Sequence, residues 1–166
     1  MNVMNNADYR QTAKNARIPW ITPVFTPCLY TSCAKPEVQT DAFVNYLSNV
    51  LGLDGGLFIE VLGDQQLNRQ RLAGFMKTFD RAHQPVIFTN KTSWEAIMGR
   101  DFTEYQENLL SILELDGNPD YSNFVPFGGW QRTFMKQYGH GPVQGCNFTA
   151  DLIIYFEDSI RKDINN

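Results

Sequence analysis

The sequence predicts a mixed α/β or α+β domain, in which helices pack a single layer of sheet and the chain ends in a β-hairpin. Three observations predict this class. Short apolar runs of strand length alternate with stretches of helical periodicity. A loop rich in turn-forming residues follows at 115–129, and two extended runs then flank a glycine-rich turn. The predicted order is strand, helix, strand, helix, strand, helix, hairpin, and the pairing direction of the early strands stays open.

The chain of 166 residues fits one domain, predicted over 18–166, after an N-terminal arm or short helix over 1–17. The first strand candidate is "IPWITPVF" (18–25). Pro19 and Pro23 interrupt it and cannot donate a backbone hydrogen bond, so this segment is predicted to lie at an edge of the sheet.

Two helices are predicted from apolar residues at helical spacing. The first spans 40–52, with Thr40 as its N-cap and Gly52 at its end. The second lies within 64–82 and places four apolar residues on one face: Leu72, Phe75, Met76 and Phe79.

The apolar runs 57–62 and 84–90 are the next strand candidates. Between the second of these and the long loop, a short helix is predicted over 93–99, with a capping box that begins at Thr92. A longer helix is predicted to follow over 102–114.

The tail is predicted to form the hairpin from 130–138 and 146–158, with His140 at the exposed tip of its turn. Along the last strand, alternation predicts two faces. Phe148, Leu152, Ile154 and Phe156 are expected to face the core. Thr149, Asp151, Ile153, Tyr155 and Glu157 are expected on the solvent or interface side.

Composition excludes several classes of function. The formal net charge is -4 and the chain has no run of lysine or arginine, which argues against a dedicated nucleic-acid binder. No secretory signal and no apolar run long enough for a membrane helix is seen, so neither a membrane partner nor signal-directed secretion is expected. Three cysteines leave one unpaired, which favours a reducing compartment.

The positions of the cysteines and of His140 are considered as a zinc site. Cys28, Cys33, His140 and Cys146 could form a Cys3His zinc set. However, the first pair has four residues between its members, at the limit of finger spacing, and the second pair matches no common zinc knuckle. Buried structural cysteines are the favoured alternative, and neither a metal nor a cofactor is predicted.

No catalytic residue is predicted. Cys146 and His140 could form a dyad, but they flank a hairpin turn, where proximity needs no chemistry. Asp151 and Glu157 share a strand face and could act as an acid–base pair. A solvated strand face is the favoured interpretation of these two carboxylates.

The run "WITPVFTP … GLDGGLFIEVLGDQQL … QPVIFTN" (20–90) is similar to the opening βα units of the dihydrodipicolinate synthase class of lyases, which are eight-stranded barrels. That family has Thr-Thr-Gly-Glu after its second strand, and this chain has Gly63-Asp64-Gln65-Gln66 there. A barrel of that kind also needs about 250 residues. We therefore reject this relationship.

The last third, from "ENLLSIL" through "FVPFGGWQRTFMKQYGHGPVQGCNFTADLIIYFEDS", resembles tailed-phage tail terminator and neck proteins in layout. Those proteins are small α+β subunits that form a ring on the tail tube. The resemblance implies a non-enzymatic, self-associating virion component, located in the virion or in the host cytoplasm before assembly. It implies a homo-oligomeric ring and other structural proteins as partners.

Six residues are candidates for the expected interface, with ordinary core packing as the alternative for each aromatic residue: Tyr9, Trp20, Tyr30, Trp130, His140 and Tyr155. Two further functions stay open. One is a small α/β enzyme or ligand-binding domain with a site near Glu60, Asn90 and His140. The other is a host-interaction or inhibitor protein.

Overall fold

The computed structural model describes residues 24–28, 32–46, 58–62, 69–79, 85–142 and 149–155. The strands are β1 (Val24–Phe25), β2 (Phe58–Val61), β3 (Val86–Thr89), β4 (Leu110–Leu113), β5 (Met135–Pro142) and β6 (Thr149–Tyr155). The helices are α1 (Pro36–Asn45), α2 (Arg69–Phe79) and α3 (Lys91–Met98). The predicted mixed α/β class, with one sheet and a C-terminal hairpin, is confirmed. The predicted arm over 1–17 lies outside the described residues.

The six strands form one curled sheet whose spatial order, β1 to β6, is the order of the chain. Each neighbouring pair from β1 to β5 is parallel, and only the β5–β6 pair is antiparallel. A helix lies in the sequence between each of the first three parallel pairs, as in consecutive βα units. The short β1 stands at the edge of the sheet, where the proline-interrupted segment was predicted.

One face of the sheet packs against the helices. The buried strand residues of this face include Ile59, Ile87 and Leu110, and they form one cluster with the apolar faces of α2 and α3. The predicted stripe of α2 is confirmed, since Leu72, Phe75, Met76 and Phe79 are all buried. A Cβ atom at Gly74 would lie 3.0 Å from the Pro36 side chain, so this glycine allows α1 to approach α2 closely.

The first helix begins earlier than predicted. Pro36 occupies the first turn, where its fixed φ suits a helix, and Thr40 is a buried residue inside α1 instead of its N-cap. The Gln39 side chain ties the helix to the preceding loop: its amide donates to the carbonyls of Cys28 and Ala34, and its oxygen accepts from the Cys28 amide. The predicted helix end at 47–52 lies outside the described residues.

The helix predicted over 102–114 is wrong. Turns occupy the start of this segment, and Leu110–Leu113 forms β4 between β3 and β5. Backbone hydrogen bonds run from Ile87 N to Leu109 O (2.8 Å) and from Phe134 N to Leu110 O (2.7 Å). Sheet pairing on both sides therefore outweighs the helical spacing of the apolar residues.

The predicted cap of the third helix is also wrong. Asn90, and not Thr92, is the N-cap of α3, because the Asn90 side chain accepts a 2.8 Å hydrogen bond from Ser93 N. In the described part of the chain, no helix is long and apolar enough to cross a membrane.

Candidate active site

The face of the sheet opposite the helices lines a cavity of about 530 Å³. The strand register places one residue from each of five neighbouring strands in a single row across this inner face: Glu60, Phe88, Ser111, Met135 and Tyr155. All five line the cavity. They share a face because successive strand residues point to opposite sides of the sheet, and the alternate residues face the helices.

Glu60 is the acidic residue of this row. It interrupts an otherwise apolar strand, Phe-Ile-Glu-Val, and it is half-buried. The Thr26 hydroxyl, just after β1, donates a hydrogen bond to Glu60 Oε2. Neighbouring parallel strands therefore supply both the carboxylate and the hydroxyl that orients it.

Asp151 is the second carboxylate that lines the cavity. Its Oδ1 lies 2.9 Å from His140 Nδ1, and His140 Nε2 lies 3.0 Å from Thr149 Oγ1. An ionised carboxylate only accepts hydrogen bonds, so Nδ1 carries the proton that binds Asp151. In the neutral imidazole, Nε2 then accepts from the Thr149 hydroxyl, and the three side chains form one chain of hydrogen bonds.

Asp151 lies at a different level of the inner face from Glu60. Tyr155 stands in the same row as Glu60, and Asp151 precedes Tyr155 by four residues in β6. Because β6 runs antiparallel, this displacement is towards the carboxyl ends of the parallel strands. At about 3.4 Å per residue the offset is about 14 Å along the strand.

Asp151, Ile153 and Tyr155, expected on the solvent or interface side, are exposed, and this side of the strand lines the cavity. The expectation for Leu152 is corrected. Leu152, expected to face the core, is 36% exposed. The alternation of side chains along one strand separates the two faces of the sheet. It does not indicate which of these faces lines a cavity.

The three residues of the predicted alternative site are only partly brought together. Glu60 lines the cavity, and His140 is bonded to Asp151, which also lines it. The Asn90 side chain instead caps α3. His140 is not at a hairpin tip, as was predicted, but lies within β5 opposite Asp151 of β6.

The candidate interface residues have different locations. Trp130 is 5% exposed and packs against Trp94 with ring centroids 4.8 Å apart, so it belongs to the core and is not a surface anchor. Tyr155 and His140 lie on the inner face of the hairpin. The other three, Tyr9, Trp20 and Tyr30, lie outside the described residues.

Cys28 and Cys33 are joined by a disulfide bond. Their thiolates are therefore not zinc ligands, and the expectation of reduced thiols is wrong for these two residues. Cys146, the third member of the considered zinc set, lies outside the described residues.

Glu60 was predicted only for the alternative site near Asn90 and His140. The signal was present, because a single acidic residue inside a buried apolar strand needs a reason to be there. Ser111 and Gln137, which also line the cavity, carried no signal of their own. Their inward position depends on the register of β4 and β5, and β4 was predicted as helix.

Comparison with protein families gives a match over residues 2–138 to the family model described as "Lysozyme-like protein 1". The chain is 30% identical over 150 residues to "Probable GH family 25 lysozyme 2" of Dictyostelium discoideum, covering 86% of this chain and 68% of that one. It is 26% identical over 151 residues to "Lysozyme-like protein 5" of Caenorhabditis elegans, covering 86% of this chain and 70% of that one.

Two solved structures share the fold. The spore cortex lytic enzyme SleM of Clostridium perfringens matches with a TM-score of 0.68 and 18% identity, over 92% of this chain and 55% of SleM. A muramidase from Acremonium alcalophilum matches with a TM-score of 0.65 and 16% identity, over 93% of this chain and 77% of that chain. This chain thus spans about half the length of SleM.

These matches overturn the expected function. The relationship to phage tail terminator and neck proteins is wrong, and so is the non-enzymatic virion role that was inferred from it. The sequence relatives are named lysozymes, and the structural neighbours are a spore cortex lytic enzyme and a muramidase. The C-terminal segment that resembled a tail protein is the last part of a curled α/β sheet. In this part β5 pairs parallel with β4, and β6 is the antiparallel last strand. The family match covers most of the chain and a curated relative is matched over more than two thirds of its length, so this chain belongs to the lysozyme-like protein 1 family.

Proposed function

We propose that this chain hydrolyses glycosidic bonds of bacterial cell-wall glycan, as a muramidase. The observation that carries the proposal is the pair of carboxylates, Glu60 and Asp151, on one cavity at the inner face of the sheet. Glycosidases use carboxyl groups as the proton donor and as the anion of the reaction, and this cavity presents two carboxylates. The names of the relatives, lysozyme and muramidase, support the same reaction and the same class of substrate.

The hydrogen bonds assign a role to each carboxylate. We assign Asp151 the anionic role in the reaction, because its Oδ1 accepts the hydrogen bond from His140 Nδ1. Glu60 is then the proton donor to the oxygen of the leaving sugar, and the Thr26 hydroxyl fixes its orientation.

The rest of the cavity suits a sugar ring. Phe58, Phe88 and Tyr155 present aromatic groups to it, and the apolar face of a pyranose can pack on such rings. None of the described lining residues is lysine or arginine. The cavity therefore favours an uncharged sugar over a phosphorylated ligand.

The test is the release of new reducing ends from purified bacterial peptidoglycan, with mass spectrometry of the fragments. Glu60→Gln and Asp151→Asn should each lower kcat by about a hundredfold or more, because each removes a proton-transfer or charge-stabilising group. Both substitutions keep the size of the side chain, so folding should be preserved.

Glu104→Gln and Asp101→Asn are the matched controls, since both carboxylates are exposed and neither lines the cavity. Both controls should keep the kcat of the wild-type chain. The proposal is overturned if the folded wild-type chain releases no reducing ends, or if the Glu60→Gln variant remains as active as the Glu104→Gln variant.

A further inference from the structure

The hairpin contains a β-bulge whose position decides which residue faces Asp151. Met135, Lys136 and Gln137 of β5 pair in regular register with Tyr155, Ile154 and Ile153 of β6. The register then shifts by one between Gln137 and Gly139, so that Gly139 lies opposite Leu152 and His140 lies opposite Asp151. Tyr138 is the extra residue.

If Tyr138 instead paired with Leu152 in regular register, the inner-face positions of β5 after Gln137 would be Gly139 and Gly141. Gly139 would then stand opposite Asp151, and the imidazole would project towards the helix side of the sheet. The bulge moves His140 to the inner face instead. Bulges commonly redirect a side chain in this way next to functional sites.

We propose that His140 is a positioning residue for Asp151, and that the bulge at Tyr138 exists to place it there. This inference rests on the proposed glycan hydrolysis. His140 Nδ1 donates to Oδ1 of Asp151, and Oδ2 takes no part in this hydrogen bond. The Thr149 hydroxyl in turn bonds His140 Nε2 and holds the orientation of the imidazole ring.

The hydrogen bonds restrain a carboxylate that has little else to hold it. The side chains of His140 and Asp151 are 57% and 53% exposed, so core packing does not fix the orientation of either ring or carboxylate. An unrestrained carboxylate on an exposed strand would sample several rotamers. Fixing the rotamer of Asp151 should therefore affect the rate of the reaction much more than the stability of the protein.

The test compares His140→Ala and His140→Asn in peptidoglycan hydrolysis. His140→Ala should lower kcat by about tenfold with little change in KM, because a misplaced group loses rate while the cavity still binds sugar. His140→Asn should recover most of that loss, since the asparagine amide can donate from nearly the same place as Nδ1. Leu152→Ala, on the other face of the same hairpin, should keep the wild-type kcat.

A second measurement does not depend on hydrolysis. The ¹⁵N signals of the His140 imidazole should show a protonated Nδ1 in the neutral form, and Asp151→Asn should shift the Nδ1 signal. A wild-type chain without hydrolysis would overturn both proposals. An active wild-type chain whose His140→Ala variant keeps full kcat, or whose His140 carries its proton on Nε2, would overturn only the positioning role.

Discussion

The ammonium group of Lys136 lies 2.8 Å from Asp116 Oδ2, and the lysine side chain is completely buried. The same ammonium donates to the Asp120 carbonyl at 3.0 Å and to Asn123 Oδ1 at 3.1 Å. Lys136 projects from the face of β5 opposite the cavity, between Met135 and Gln137, which line it. One buried cation therefore joins the long loop after β4 to a strand of the candidate site.

Replacing Lys136 by methionine should destabilise the protein. The substitution keeps an apolar stem of similar length, but it leaves three oxygen acceptors without their donor. The free energy of unfolding should fall by about 1–3 kcal/mol, measured by urea denaturation. Lys91→Met is the control, because that lysine forms only a 3.9 Å surface pair with Glu95 and should change stability by less than about 0.5 kcal/mol. Equal effects of the two substitutions would contradict the anchoring role of Lys136.

Stability should depend on pH through Asp116. Its hydrogen bonds from Lys136, the backbone amide of Asn118 and the Asn123 side chain lower the pKa of this carboxyl from 3.8 to about 2. Between these values the unfolded chain binds more protons than the folded one, so stability rises with pH. This contribution is present above pH 3.8 and is lost as the pH falls through about 2. The urea midpoint of the wild type should therefore decline over this range more steeply than that of Asp116→Asn, and parallel curves would count against the assignment.

Gly128 should not tolerate alanine. Its φ is +58°, and a Cβ atom would lie 2.6 Å from both the Trp94 indole nitrogen and the Trp130 ring. Gly128→Ala should lower the free energy of unfolding by at least about 2 kcal/mol, through overpacking and backbone strain together. Gly117 is a matched comparison, since its φ is +75° but a Cβ atom at this position would have no neighbour within 4 Å.

Gly117→Ala isolates the backbone strain and should lower the free energy of unfolding by about 1 kcal/mol. Thermal unfolding of the two variants measures the difference between them. If both lose the same stability, the contact of Gly128 with the two tryptophans is not a constraint.

Thr26→Val tests the support of Glu60. Valine keeps the β-branched shape that suits an extended segment but removes the hydroxyl that donates to the carboxylate. Loss of one hydrogen bond to the reacting group should lower kcat by about two- to tenfold, with the melting temperature nearly unchanged because Thr26 is exposed. A variant with wild-type kcat would show that Glu60 needs no orientation by Thr26.

Much of the fold was predictable, because in those segments the spacing of apolar residues in the sequence agrees with the face that packs in the structure. The face of α2 was predicted residue by residue, since its apolar positions follow the helical period and all of them meet the sheet. β4 was missed for the opposite reason. Its four residues, Leu-Ser-Ile-Leu, are too few to show a period of their own, and the acidic and apolar residues before them match a helix.

The candidate site was harder to predict than the fold. Glu60 was named only for an alternative function, and Asp151 was assigned to a solvated face. Their meeting on one cavity depends on three parallel pairings and one antiparallel pairing, none of which a single sequence specifies. The bulge at Tyr138 has no composition signal, although it decides that a histidine and not a glycine faces Asp151.

The reversal of direction at β6 has an evolutionary consequence. In parallel α/β sheets, reactive groups usually come from the ends of strands, and each is tied to a helix that follows. Here Asp151 comes from the beginning of a strand and is linked to β5 by the short stretch 143–148. Insertions or deletions in that stretch therefore interrupt none of the helices in the described residues. The length of the hairpin and the helix-packed side of the sheet can change independently.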